Sequence, residues 1–224
     1  VVEVEVAPGN RIIACLYTAA TEISEADLQA HAMANLARYK QPRGYIRLDA
    51  QPRNANNKLN RSELRLIAGG PMIRLDIFSD PVCPWCYIGK SNLDRALESR
   101  SDHPFAIQWH PFQLNPDMVA EGVDKRSYLA GRFGGEDKLE QIHQRLRDVA
   151  KAAGVDMDPD TPQRIPNTMN AHRLIHWAGL EGRQTPMVSA LFRAYWREGR
   201  DIGDAEVLAD LAAEVGMDRA VTAR

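Results

Sequence analysis

Hydrophobic and polar positions alternate at the start of the chain, with Val2, Val4 and Val6 separated by Glu3 and Glu5. That is the period of a strand with one wet face. Pro8-Gly9-Asn10 marks a turn and residues 12–17 read as a second strand, so a hairpin is expected. Ser24-Glu25-Ala26-Asp27 is a capping-box pattern, and Leu28, Ala32 and Leu36 follow it at helical spacing. Pro42 stops that helix. Residues 45–48 give a third strand, 52–58 a polar loop and 62–67 a short helix. The run Leu66-Ile67-Ala68-Gly69-Gly70-Pro71 then breaks the pattern and reads as a boundary.

Beyond it the periods change. Residues 72–78 read as a strand, the next helix runs to about Leu97, and 105–114 read as a second strand. From there the pattern is helical. Leu139, Ile142, Leu146, Val149 and Ala153 form one stripe, and Ala171, Leu174, Ile175 and Ala178 a second. Val188, Leu191, Phe192 and Tyr195 form a third, and Val207, Leu208, Leu211 and Val215 a fourth, behind Asp204 as N-cap. Strand, loop, helix, strand and a helical block predict an α/β fold with a helical insertion around 116–215, preceded by a small α+β unit.

Composition narrows the function classes. At 224 residues the chain has room for about one and a half domains. Residues 1–71 carry nine basic and seven acidic side chains, and 72–224 carry nineteen and twenty-three, so the charge balance changes sign at the same boundary. A net charge of -2 argues against a phosphate-tracking nucleic-acid binder. No apolar run approaches the roughly 18 residues of a membrane span. The acidic alternation at the N-terminus is unlike a secretory signal, so a cytoplasmic setting is expected. Three cysteines exclude a disulfide scaffold. The pattern leaves the oligomeric state open.

Two of those cysteines carry the chemistry. Cys83-Pro84-Trp85-Cys86 lies between a predicted strand and a predicted helix. A thiol at a helix N-terminus faces unpaired backbone N–H groups and the positive end of the helix dipole, which favour the thiolate. Pro84 suits the first helical turn, where its missing N–H costs nothing. The three-residue spacing lets the two sulfurs meet, with Cys83 as exchange nucleophile, Cys86 as resolving thiol and Trp85 supporting the motif. The same spacing is half of a zinc site, but a second ligand pair is missing. Two idle core cysteines are the remaining reading. His172 and His176, four apart, are explained by helix packing, and Trp177, Tyr195 and Trp196 by core stripes. Asp156, Asp158 and Asp160 lack the glycine and glutamate of a calcium loop and read as a solvated acidic turn. No metal is expected.

The segment Ser79-Asp80-Pro81-Val82-Cys83-Pro84-Trp85-Cys86-Tyr87-Ile88-Gly89-Lys90 resembles the DsbA-like oxidoreductases of the FrnE type. So do residues 109–116, Pro166-Asn167-Thr168 with Ala171-His172-Arg173-Leu174, and residues 194–204. The resemblance covers nearly all of 72–224 and implies a thioredoxin fold interrupted by a helical domain, acting on a protein or small-molecule thiol or disulfide. No cofactor is implied; glutathione enters only as a thiol co-substrate. The same superfamily holds 2-hydroxychromene-2-carboxylate isomerases and kappa-class glutathione transferases, which typically carry serine in place of Cys83, so a glutathione-dependent isomerase or transferase is the alternative. The resemblance also implies two further strands, a helix and a cis-proline loop after the insertion, and no proline follows Pro186. The expectation is therefore a domain cut before its closing strands.

Residues 1–66 resemble a different family. Leu36-Ala37-Arg38-Tyr39-Lys40-Gln41-Pro42-Arg43 and Pro52-Arg53-Asn54-Ala55-Asn56-Asn57-Lys58-Leu59-Asn60-Arg61 are similar to the C-terminal subdomain of AMP-binding acyl-CoA ligases. By that resemblance Lys58 is the lysine that swings over the adenylation site, with Asn57 where a glycine is usual. The large nucleotide-binding domain and any Gly-rich phosphate loop are missing, so no ATP-dependent activity is expected of this lid alone. Residues 67–71 are then the linker. Met72 suits a start codon, and the expectation is two neighbouring coding regions read through or joined.

Overall fold

A computed structural model describes residues 1–7, 10–53, 59–69, 73–100 and 103–222. The chain divides into two compact units, Val1–Leu75 with Leu97–Ala106, and Asp76–Ala96 with Ile107–Arg224.

In the first unit, β1 (Val2–Ala7) pairs antiparallel with β2 (Asn10–Tyr17), and β2 pairs parallel with β3 (Gly44–Arg47). The alternation does its work here: Val2 and Val4 point inward, opposite Ala14 and Ile12, and Leu64 closes a small core. The expected hairpin forms, although its turn residues Pro8 and Gly9 lie outside the described residues. Between β2 and β3 runs α1 (Glu25–Asn35), whose N-cap Ser24 accepts the Asp27 N–H at 3.1 Å. Its apolar stripe is shallow, since Ala32 is buried and Leu36 exposed. The helix α2 (Arg61–Ile67) starts at Asn60, whose side chain accepts the Glu63 N–H, and supplies Leu64 to the core.

The second segment opens with β4 (Ile73–Ser79), then α3 (Pro84–Ser99) and β5 (Phe105–Pro111), with β4 and β5 paired in a two-stranded sheet. The strand expected over 105–114 ends three residues early. Leu114 gives its N–H to the Asp80 carboxylate at 2.8 Å instead of to a ladder. At Trp109 the Gln184 side-chain amide takes the place of a neighbouring strand, accepting the backbone N–H at 2.9 Å and donating to the carbonyl at 3.1 Å. A strand edge is thereby satisfied by one side chain.

Helices make up the rest: α4 (Lys125–Phe133), α5 (Glu136–Ala152), α6 (Met169–Leu180), α7 (Gln184–Trp196), α8 (Ala205–Glu214) and α9 (Arg219–Thr222). Two-residue strands β6 (Val123–Asp124) and β7 (Arg164–Ile165) pair antiparallel between them. Gly122, at φ +68, lets that pair close, because a Cβ there would lie 2.5 Å from the Ile165 carbonyl oxygen. The core joins Leu174 and Ala178 of α6 to Met187, Leu191 and Phe192 of α7 and Leu211 of α8. Asp204 caps α8 as expected, accepting the N–H groups of Glu206 and Val207 at 2.8 and 3.1 Å. Tyr195 and Trp196 are buried as their stripe predicts, but Trp177 is 47% exposed and belongs to the surface.

Candidate active site

The loop from Ser79 to Val82 turns the chain from the end of β4 into α3, and Pro84 is the first residue of that helix. Its geometry follows from Asp80. The Asp80 carbonyl accepts the Cys83 N–H at 2.9 Å, while its carboxylate accepts Val82 N–H at 3.4 Å and Leu114 N–H at 2.8 Å. One residue thus fixes the loop on both sides of the first cysteine. From α7, the Trp196 indole N–H donates to the Pro81 carbonyl at 3.0 Å and holds the loop from the helical side.

Cys83 is 8% exposed, Cys86 half-buried, and Trp85 between them 52% exposed. Both thiols are free. The Cys86 backbone N–H donates to the Cys83 sulfur at 3.3 Å, the first-turn donation expected of a helix N-terminus. The two side chains also hydrogen-bond each other, and their titration is that of a pair. The hydrogen bond with Cys86 pushes Cys83 well above the ordinary thiol range, with burial and the Cys86 charge adding to it, against the N–H groups of Cys86 and Trp85. The hydrogen bond from Cys83 draws Cys86 down to about 6, against burial and the Asp80 charge, helped by the Asp80 N–H and the Ser79 side chain. One proton therefore leaves the pair readily and the other is retained between the sulfurs. A thiolate and its adjacent proton are what disulfide exchange needs.

Behind the sulfurs lies a second, buried layer that sequence reasoning did not single out. Asp80 is 1% exposed, and His172 of α6 is also buried, with its Nε2 3.7 Å from Asp80 Oδ1. Burial raises the Asp80 carboxyl above the usual range, outweighing the Leu114 N–H, the His172 charge, the Val82 N–H and the Thr168 hydroxyl. Burial likewise lowers His172, against the Asp80 charge and a bond with the Phe112 backbone. His172 Nε2 is buried without a hydrogen-bond partner. The Asp80 signal was present in the sequence, as an acid three residues before the first cysteine, but its histidine comes from a distant helix.

The other expected residues fall elsewhere. Lys58 lies outside the described residues; an isolated bridge pairs Arg53 with Leu59. Cys15 is a free thiol in β2. His176 is exposed while His172 is buried, so the two do not form a joint site. Among the described residues, the cluster able to hold a metal ion is Glu140, His143 and Asp160, which includes neither cysteine. The acidic turn is not wholly solvated, since Asp160 accepts from His143 at 2.8 Å and from Arg147 at 2.7 Å. Among the described residues no helix is long and apolar enough to cross a membrane.

Comparison with known proteins bears on residues 74–224, which match the model of the DSBA-like thioredoxin domain. A solved structure of a probable DsbA oxidoreductase from Streptomyces coelicolor superposes with a TM-score of 0.60 at 27% identity, covering 66% of this chain and 65% of that one. The chain thus spans just under two thirds of that relative's length. The uncharacterized protein YwbO of Bacillus subtilis (strain 168) is 25% identical over 148 residues, covering 66% of this chain and 68% of its own. A 2-hydroxychromene-2-carboxylate isomerase shares the fold at a TM-score of 0.50 and 17% identity, with 67% and 69% covered. The fold is thioredoxin-like, with helices inserted after its second strand. The family match begins beyond residues 1–66, and these comparisons lend no support to their ligase resemblance or to the FrnE subtype.

Proposed function

The chain belongs to the DSBA-like thioredoxin domain family, and we propose that within it Cys83 and Cys86 form the exchange centre of a thiol–disulfide oxidoreductase. The observation that carries this reading is the convergence of first-turn N–H donation and a shared proton on two free thiols at the start of α3. In the proposed cycle Cys83 passes its proton to the Cys86 thiolate as its sulfur attacks a substrate disulfide; one substrate sulfur leaves as a thiolate that takes a proton from water, and a mixed disulfide forms on Cys83. Cys86 then attacks the Cys83 sulfur, releasing the second substrate thiol and leaving a Cys83–Cys86 disulfide. Two electrons pass from the cysteine pair to the substrate; running backwards, the same steps oxidise a substrate dithiol. A protein or small-molecule thiol, glutathione among them, is the proposed partner, and the cytoplasm the proposed setting.

The roles are separable. Cys86→Ser should trap a mixed disulfide on Cys83, visible by mass spectrometry, whereas Cys83→Ser should abolish disulfide reduction of an insulin-type substrate. If Cys83→Ser reduced that substrate as fast as the parent, the assignment would be wrong. Persistence of a glutathione-dependent isomerisation in Cys83→Ser would favour the isomerase alternative. For residues 1–66 we keep the acyl-CoA ligase lid, with Lys58 as its adenylate-facing lysine, as a proposal from sequence resemblance. Restored adenylation on adding the chain to a ligase lacking its lid would support it.

A further inference from the structure

Lys125 is the first residue of α4 and is 5% exposed, an uncommon place for an ammonium group. Burial and the positive end of the helix dipole both oppose its charge there. Among the described residues no ion pair reaches it, and Asp160 and Asp158 act on it through space. What holds the ammonium is the Pro159 carbonyl, which accepts from Nζ, and two aromatic faces. Nζ stands 4.8 Å from the centre of the Trp196 ring and 5.9 Å from that of Tyr195. A methionine would fill the same space at no electrostatic cost, so packing alone does not account for a lysine. The ring beneath the ammonium is also the one that reaches the cysteine loop. Trp196 gives its indole N–H to the Pro81 carbonyl at 3.0 Å, and the preceding carbonyl, that of Asp80, accepts the Cys83 N–H at 2.9 Å.

Resting on the exchange reading above, we propose that Lys125 is a positioning residue for the cysteine pair: its ammonium clamps the face of Trp196, so that the ring edge holds the Cys83 loop. A cation over an indole face is attracted by the π-electrons, most strongly where water is excluded. Charges and hydrogen bonds in series also polarise one another, and the N–H aimed at Pro81 is the donor that gains. Tyr195 braces the same ring, edge-on at 5.0 Å and 87°, with its hydroxyl on the Arg164 carbonyl at 2.8 Å. Loss of the ammonium charge leaves the ring packed but loosens its hold on the loop. Burial draws Lys125 down to about 8, against the Asp160 and Asp158 charges, so the charge is lost in a mildly alkaline range where an exposed lysine keeps it. The other titratable and charged groups around Lys125 are Tyr195 of α7 and the Asp124–Arg164 pair of β6 and β7. From α5, His143 and Arg147 face it through Asp160, whose carboxylate they already bind.

The test follows two quantities against pH in the full chain, the rate at which the reduced protein cleaves a small aromatic disulfide and the solvent exchange of the Trp196 indole N–H by NMR. Near neutrality Lys125→Met should react about tenfold more slowly than the parent, the rate equivalent of one desolvated cation–π contact. The two rates should converge as pH rises past about 8, where the parent loses the same charge. Their ratio removes the thiol titration common to both. Lys125→Arg keeps a cation at every pH tested, so it should match the parent near neutrality and outpace it in alkali. This variant carries the test if Lys125→Met does not fold. A Lys125→Met profile superimposable on the parent, or a Lys125→Arg profile that falls with the parent above about 8, overturns the inference and leaves the exchange reading intact. A parent that cleaves no disulfide, while its Trp196 N–H still opens as Lys125 discharges, overturns the exchange reading and keeps the clamp.

Discussion

Two histidines are buried in the helical part of the chain, each facing an aspartate, and they are held in opposite ways. His143 of α5 hydrogen-bonds Asp160 at 2.8 Å, and the same carboxylate takes Arg147 at 2.7 Å, with the Asp160 side chain 41% exposed. His172 of α6 stands 3.7 Å from an enclosed Asp80, with no hydrogen bond on its Nε2. The first carboxylate keeps its water and gains two donors, so it joins α5 to the following turn at little cost. The second has given up water for backbone N–H groups, the Thr168 hydroxyl and a distant imidazole. Burial of a charge without full compensation destabilises a fold, and the uncompensated one lies beside the cysteines. The difference separates a pair that water still reaches from one that the fold encloses.

The largest effect expected is on the enclosed pair. Asp80→Asn should raise stability at neutral pH by roughly 1–3 kcal/mol, the scale on which desolvation of a buried polar group is felt, read as a higher urea midpoint. The pH dependence has a definite sign. Asp80 is raised in the fold, so its contribution favours folding fully below the ordinary carboxylate value and is lost as pH rises through the folded value. The stabilisation by Asp80→Asn should therefore fade on acidification. A destabilised Asp80→Asn at every pH would make the two pairs alike and end the contrast.

A smaller change of opposite sign is expected at the other pair. Asp160→Asn should cost about 1 kcal/mol, the lower end for a lost charged hydrogen bond because water already screens the site, and leave disulfide exchange untouched. Burial pushes Asp160 up, but the Arg147 and His143 hydrogen bonds and charges outweigh it and hold the carboxyl below its usual value. Its stabilisation is therefore present above the ordinary carboxylate value and lost as pH falls through the folded one. An unchanged acid limb of the stability curve in Asp160→Asn would break this half of the comparison. Smallest is Arg147→Gln, at about 0–1 kcal/mol for a largely surface network that also includes Glu140 and Asp158. A loss beyond 2 kcal/mol, above the range for such pairs, would show that Arg147 holds His143 in place more than water does.

Much of this was legible from local pattern. The Ser24 and Asp204 caps, the alternation of Val2 and Val4, the cysteines between a strand and a helix and the α6 and α7 stripes are all short-range signals, and each appears where it was read. What escaped needed partners from far along the chain. The end of β5 is set by Asp80 taking the Leu114 N–H, and the role of His172 by that same Asp80. His143 occupies a buried position of the α5 stripe because Asp160 satisfies it, and helical spacing carries no trace of that. The two-residue strands β6 and β7 are too short to show any period. Trp177 misled in the other direction: its place on a helical stripe suggested core, but its face of α6 is turned to water.

The bond from the Trp196 indole to the Pro81 carbonyl joins residues 115 apart in sequence. Closing a span of that length costs about 4 kcal/mol of chain entropy, before any fixed term. Synthesis at roughly 5–20 residues per second separates the emergence of Pro81 from that of Trp196 by about 6–23 s. For that interval a nascent chain carries Cys83 and Cys86 without the tryptophan that fixes their loop. The thiols are then open to wrong partners before the helical block arrives, and the order of synthesis makes that block the late guardian of the pair.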